Sequence, residues 1–212
     1  RYTVEACRRV KKHGGVLHSF IVGRVFEQEN VEWLRGILDE GHPVGNHTYD
    51  HVRITATTLH DVQYRFQRSP WLIAGKTPLQ AIAENIRLCN VAMEKRLGVR
   101  PDAFGAPYGF ADGISDRKDL QEMFLSMGYK FITSKYVWIT ELPHEGLQEQ
   151  HIQTIADSVK AHQPFYYPTG LLELPYVPVT DVGAFRGRNW TMDAYINAIR
   201  ASIRRAVELR AV

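Results

Sequence analysis

The chain is poor in cysteine, with 2 in 212 residues. Cys7 and Cys89 allow at most one internal bridge. Both fall in stretches with helical periodicity and read as buried thiols, not as a disulfide framework. The chain also lacks any apolar run near the ~18 residues that a membrane-spanning helix needs. An excess of one charge is missing too. Lys and Arg number 26 against 23 Asp and Glu, a formal net charge of +3. That is too little for an electrostatic footprint on nucleic acid. Repeats and low-complexity tracts are absent. What remains is an ordinary globular composition, 44% hydrophobic and 23% charged. It supports one buried core and excludes extensive disorder.

The dominant pattern is short strand followed by longer helix. Helical spacing covers residues 4–12, ended by His13-Gly14-Gly15. Residues 16–22 form an apolar strand stopped by Gly23. Asn30 caps a helix running to Glu40, and residues 43–47 form a second strand. Residues 54–77, which include Ser69-Pro70-Trp71-Leu72-Ile73, are irregular and read as an insertion. Thr77 caps a long helix with Pro78 at its first position, and Gly98 ends it. A very short strand at Ala103-Phe104 leads into Gly105-Ala106-Pro107-Tyr108-Gly109. A helix over 116–127, a strand over 129–134, a helix over 148–161, a strand over 170–175 and a helix over 191–209 follow. Alternation of this kind implies parallel strands with crossover helices, in a layered α/β fold or an α/β barrel. Ligands of such folds bind at the C-terminal strand ends.

The strongest local signal lies at one such end, in Gly45-Asn46-His47-Thr48-Tyr49-Asp50-His51. Two histidines four apart can converge on one ion if the chain turns between them. Imidazole suits Zn and its neighbours. Thr48 and Asp50 are placed to orient the imidazole nitrogens. With nine histidines in the chain, such a pair also arises by chance, and coordination needs more than two ligands.

Residues 41–51, from Gly41-His42-Pro43 through His51, resemble the second motif of the polysaccharide deacetylase family, also called the NodB-homology or carbohydrate esterase 4 domain. Phe20-Ile21-Val22-Gly23 is similar to that family's "FFVxG" strand. Phe104-Gly105-Ala106-Pro107-Tyr108-Gly109 resembles its third motif, Phe-Arg-x-Pro-Tyr/Phe-Gly. The order and spacing agree over most of the chain. Leu171-Leu172-Glu173-Leu174-Pro175 and the residues up to Phe185 are similar to a bacterial subgroup. The fold implied is a distorted (β/α) barrel, here one partial domain over residues 1–212.

The resemblance implies a divalent metal, Zn or another transition metal, held by one Asp and two His. The metal polarises an acetamide carbonyl and binds water, a carboxylate acts as base and a His as acid. Carried over, His47 and His51 are the metal ligands and Tyr108 supplies a backbone oxyanion donor. Pro107 fixes the turn that aims Tyr108 and borders the substrate. The family's Thr-Phe-Asp-Asp-Gly motif, source of the third ligand Asp and of the base, occurs nowhere in the chain and is expected upstream of Arg1. The closing strand with the acidic His is expected after Val212. The 212 residues are therefore expected to be the middle of a longer catalytic domain, prone to self-association through open strand edges. Gly105 stands where the family has an Arg that orients the base, so even the complete protein is expected to be slow. Gly105→Arg is expected to test this. The fourth motif, an Asp and Trp pair, is matched only loosely by Ser134-Lys135-Tyr136-Val137-Trp138.

Other residues keep two readings. Glu173 either faces the barrel mouth, touching substrate or metal-bound water, or pairs with a cation. Trp71, Phe110, Tyr136 and Trp138 either stack on sugar rings or anchor loops. Asp181 caps a turn or lines the site. The Arg200, Arg204, Arg205 and Arg210 run reads as a solvated face.

The leading expectation is metal-dependent hydrolysis of a non-peptide C–N bond, foremost N-deacetylation of an amino sugar in a polysaccharide or peptidoglycan. Two rivals stand beside it: an allantoinase-like hydrolase of a small amide or cyclic ureide, and a non-catalytic carbohydrate binder. Partners are a carbohydrate or small amide, with no nucleic acid and no membrane span. The sequence leaves the location open between cytoplasm and cell envelope, and any signal peptide is expected before Arg1.

Overall fold

Strand and helix alternate along the chain, as the apolar periodicity predicts. The computed structural model describes residues 2–62, 70–177 and 179–211. Residues 63–69 of the expected insertion, Pro178 and both terminal residues lie outside the described residues. The chain divides into two compact units, one of Arg1–Tyr108 with Arg117–Ile132, the other of Gly109–Asp116 with Thr133–Val212.

The first unit contains α1 (Tyr2–Lys11), β1 (Ser19–Ile21), α2 (Glu32–Asp39), β2 (Val44–Asn46), α3 (Pro78–Leu97) and α4 (Lys118–Ser126). It also holds most of β3 (Ala103–Phe110) and the start of β4 (Phe131–Lys135). The strand order is β1-β2-β3 and both pairings are parallel, with Phe20 opposite Gly45 and Asn46 opposite Phe104. Side chains alternate along each strand. Phe20, Gly45 and Gly105 therefore share one face of the sheet, and Ile21, Asn46 and Phe104 the other. The second face carries the core, where Ile21 and Val44 pack with Leu34, Ile37, Cys89, Met93 and Leu97. Cys7 joins this cluster, and both cysteines are buried free thiols.

α3 is defined at both ends. Thr77 Oγ1 accepts from Gln80 N at 3.2 Å, and Gln80 Oε1 accepts from Thr77 N at 2.8 Å. Pro78 follows at the first helical position, and Gly98, at φ +73°, ends the helix. The irregular segment after His51 is not merely a surface excursion, since Ile54, Ala56 and Val62 are buried.

In the second unit the strand order is β4-β6-β5, with β5 (Phe165–Tyr166) antiparallel to β6 (Leu172–Glu173). α5 (Glu149–Asp157) packs on α6 (Met192–Leu209). Leu142, Ile155, Val179, Ala184, Trp190 and Ala198 form their core. The fold is the expected α/β type with a parallel sheet, and among the described residues the sheet does not close.

Several boundaries differ from the sequence expectation; the strand expected over 16–22 is only Ser19–Ile21, and the helix expected from an Asn30 cap has Val31 at its N-cap. β3 is eight residues long, not two, and the glycines of its motif are covered by the side chains of Phe20 and Tyr136. The helix expected over 148–161 is α5 followed by a tighter 3-10 turn, Ser158–His162. After it Pro164 holds Gln163 extended, at ψ 149°, and the helical stretch stops. The strand expected over 170–175 shrinks to two residues. Pro164 and Pro168 bracket its partner β5, and Pro175 offers no N–H.

Candidate functional site

β2 ends at Asn46, and the next five residues turn away from the sheet. His47 N still donates to Ile21 O at 3.1 Å. Thr48 and His51 then adopt φ +58° and +61°, and Tyr108, near the end of β3, adopts +67°. Left-handed backbone costs a non-glycine residue about 1–2 kcal/mol, and such positions cluster where geometry serves function.

The strain is held by buried polar groups. Asn46 Oδ1 accepts from Thr48 N at 2.7 Å, and its Nδ2 donates to Ile86 O at 2.9 Å and Asn90 Oδ1 at 2.7 Å. Thr48 Oγ1 accepts from Val52 N at 3.0 Å. Asn85 Oδ1 accepts from Tyr49 N at 2.8 Å and Asp50 N at 3.0 Å, and its Nδ2 donates to Asp50 Oδ2 at 2.9 Å. Gly23 N and Arg24 N donate to Thr48 O and Tyr49 O, each at 2.9 Å. A Cβ on Gly23 would lie 2.8 Å from Tyr49 Cα, so only glycine permits this approach. Asn85→Ala removes three hydrogen bonds at a fully buried position. It should cost about 3 kcal/mol of stability, read from denaturant midpoints, and broaden the His51 resonances.

The turn brings the two imidazoles together. Their ring centroids are 5.0 Å apart with planes at 67°. Two imidazoles on one tetrahedral ion, at Zn–N distances near 2.0–2.1 Å, have centroids about 5 Å apart. His47 Nδ1 lies 2.7 Å from Gly105 O. A carbonyl only accepts, so Nδ1 carries the proton and Nε2 the lone pair. Burial lowers the His47 pKa from 6.5 to about 4, and burial lowers His51 as well. Both rings are thus neutral near pH 7, the form that ligates. The centroid spacing matches that of two imidazoles on one ion. Among the described residues no group of three His, Cys, Asp or Glu side chains could hold an ion.

The same burial makes the fold acid-sensitive. Between pH 6.5 and about 4 the unfolded His47 binds a proton that the folded one refuses. Stability therefore falls as pH falls through that window, by about 3 kcal/mol in full. Denaturant titrations at pH 7 and pH 4.5 should show this loss, and His47→Gln should show less of it.

The Tyr108 ring meets His51 edge-on, with centroids 5.1 Å apart. Pro107 is buried, so it shapes the turn from within and offers no surface to substrate. Thr48 and Asp50 are buried beside the pair. Thr48 braces the turn, and Asp50 binds Asn85 and pairs with Arg24 at 3.4 Å. The group seen to orient His47 is the Gly105 carbonyl. Trp71 is 71% exposed on the turn Pro70–Leu72 in the first unit. In the second unit Trp138 is 54% exposed and packs edge-on against Tyr136 at 4.2 Å.

Glu173, also in the second unit, is fully buried. Oε1 accepts from Ser134 N at 2.7 Å and Lys135 N at 2.9 Å, and Oε2 accepts from Ser134 Oγ at 2.6 Å and Tyr167 Oη at 2.8 Å. Neither a mouth-facing base nor a surface ion pair describes it. Four donors fill its lone pairs, and it joins β6 to β4. Burial, and after it the nearby Glu173 carboxylate, raises the Tyr167 pKa and pushes Tyr176 up to about 12.

Position 105 also needs correction. A Cβ there would lie 2.6 Å from Phe20 Cγ. An arginine cannot enter while Phe20 keeps its place, so Gly105→Arg alone does not restore the family pattern. Sequence reasoning missed Asn85, although a polar residue among Ile82, Ile86 and Cys89 on a buried helix face was a usable signal. It also missed the Gly105 carbonyl, which no residue type encodes.

The fold has counterparts among known proteins. A solved protein from Mycobacterium smegmatis, classed with the polysaccharide deacetylases, is 16% identical with a TM-score of 0.54, over 96% of this chain and 59% of that one. The PuuE allantoinase structure is 15% identical with a TM-score of 0.54, over 93% and 52%. IcaB from Ammonifex degensii is 20% identical with a TM-score of 0.43, over 61% and 52%. The chain thus spans little more than half the length of these proteins. At these identities the likeness speaks for the fold alone. Among curated proteins none matches significantly. The sequence profile of the polysaccharide deacetylases matches residues 1–132, which contain the β1 strand, both histidines and the Tyr108 turn, and the chain belongs to the polysaccharide deacetylase family.

Proposed function

We propose that this chain forms the metal-binding part of a metal-dependent hydrolase of non-peptide C–N bonds, acting on an acetylated amino sugar in a polysaccharide or peptidoglycan. The observation that carries this reading is the neutral His47–His51 pair, 5.0 Å apart, with the His47 proton fixed on Nδ1. When bound, a divalent ion supplies Lewis acidity toward the amide carbonyl and lowers the pKa of water.

The chain's own residues hold and orient. Gly105 O fixes the His47 tautomer, and Asn85 and Asn46 hold the turn that carries both rings. Tyr108 borders His51, and its main chain takes the oxyanion-donor role that the resemblance implies. Trp71 and Trp138, exposed in their own units, offer flat faces for sugar rings. Isothermal titration of the 212-residue chain with Zn²⁺ or Co²⁺, beside amine release by the full-length protein from chitin oligomers, peptidoglycan and allantoin, tests the proposal. Metal binding with amine release from a polymer supports it. Release from allantoin alone moves the substrate to the small-ureide class. No metal binding overturns it.

A specific observation favours a second reading, a non-catalytic carbohydrate binder. The Phe20 ring occupies the space that a side chain at Gly105 would need, so the family's charged Arg has no room. Binding of chitin oligomers by the full-length protein without amine release, in the presence of metal, would establish this reading.

A further inference from the structure

Phe20 lies in β1, opposite Gly45 of β2. A Cβ on Gly45 would come 2.6 Å from Phe20 Cδ1, and one on Gly105 would come 2.6 Å from Cγ. One aromatic ring is thus seated directly on the backbones of two adjacent strands. Neither glycine has a positive φ. Glycine is required there by the ring, not by the backbone conformation. The His18 ring stacks on Phe20 at 4.8 Å and 14°, and Phe131 meets His18 edge-on at 5.6 Å.

Both glycines lead to the same imidazole. Gly45 lies in β2 two residues before His47, which directly follows that strand, and the Gly105 carbonyl is the acceptor for His47 Nδ1 at 2.7 Å. The next residue of β1 contributes as well, since Ile21 O accepts from His47 N at 3.1 Å. Three backbone segments therefore meet at His47, and Phe20 touches two of them and belongs to the third.

We infer that Phe20 is a positioning residue for this site: by seating on Gly45 and Gly105 it sets the β2–β3 spacing at which the Gly105 carbonyl fixes His47 with its proton on Nδ1. The inference rests on the proposed metal-binding role of His47 for its functional meaning. Its physical content is independent of that role. Without the ring, the two glycine backbones lose a rigid spacer, and the Nδ1–H···O contact is free to lengthen. An unrestrained imidazole favours the Nε2–H tautomer, which blocks the ligating nitrogen.

Long-range ¹H–¹⁵N correlation spectra of the metal-free 212-residue chain read the His47 tautomer directly. The unaltered chain is expected to show the Nδ1–H form. Phe20→Ala is expected to convert it to a mixture or to the Nε2–H form. Phe131→Ala is the structural control, because it removes a ring from the same stack that does not seat on either glycine. It should lower thermal stability and leave the tautomer unchanged. If Phe20→Ala fails to fold, Phe20→Leu keeps apolar volume but not the flat ring, and the same tautomer shift is expected.

Zn²⁺ titration of the same variants should show affinity falling 10- to 100-fold for the Phe20 variants and not for Phe131→Ala. An unchanged tautomer in folded Phe20 variants, or an equal shift in Phe131→Ala, overturns the inference. Absence of Zn²⁺ binding in the unaltered chain would instead refute the proposed function, and the tautomer result would still decide the role of Phe20.

Discussion

His47→Ala is expected to abolish divalent-metal binding by this chain while leaving it folded at pH 7. The reasons lie in the geometry. The His47 and His51 ring centroids lie 5.0 Å apart, the spacing of two imidazoles on one ion. Changing a group that only orients a ligand costs 10- to 100-fold in metal affinity, so removing the ligand should cost more than about 100-fold. His51→Ala should lose a similar amount, and the double variant no more than either alone, because each single change already dismantles the site. The fold should tolerate the loss of His47, since its ring bonds a single backbone carbonyl of β3. Titration with Zn²⁺ or Co²⁺, with circular dichroism as the folding check, reads both quantities. A folded His47→Ala chain that binds metal as the parent does would show that the pair is an ordinary aromatic contact.

The second large effect concerns stability. Glu173→Ala is expected to cost about 4 kcal/mol and to loosen the second unit. Removing one partner of a buried charged network leaves the others desolvated and unpaired, at a cost of 3–5 kcal/mol in comparable cases. Here the orphans are two backbone N–H groups, the Ser134 hydroxyl and the Tyr167 hydroxyl. Glu173→Gln should cost much less. Both hydroxyls can turn to accept from the new amide, while the carbonyl oxygen keeps the Ser134 and Lys135 amides. Amide hydrogen exchange at Ser134 and Lys135 distinguishes the two variants. Fast exchange in Glu173→Ala and near-native protection in Glu173→Gln are expected. Equal protection in both would mean that the carboxylate does not hold β6 to β4.

These predictions separate what could be read along the chain from what could not. Element order was legible because apolar periodicity and punctuation act locally. Thr77-Pro78 and Gly98 delimit α3 in the sequence as they do in the fold. The histidine pair was legible because residue type and a spacing of four carry the chemistry. Glu173 was misread because burial is not a local property. Its neighbours Pro175 and Tyr176 do not say whether the carboxylate meets water or four donors. The extent of β3 was underestimated for a similar reason. Gly105 and Gly109 look like turn residues until a ring packs against each, Phe20 on the first and Tyr136 on the second.

The sequence by itself determined the α/β alternation, the free buried thiols, the near-balanced charge and the identity of the two imidazoles. Tertiary structure decided which imidazole nitrogen holds the proton, since that depends on a carbonyl 58 residues away in sequence. It also decided that position 105 must be glycine, since the excluding atoms belong to a strand 85 residues earlier. Side-chain identity is written in the chain. Tautomer, burial and excluded volume arise only when distant backbones are brought within a few ångströms.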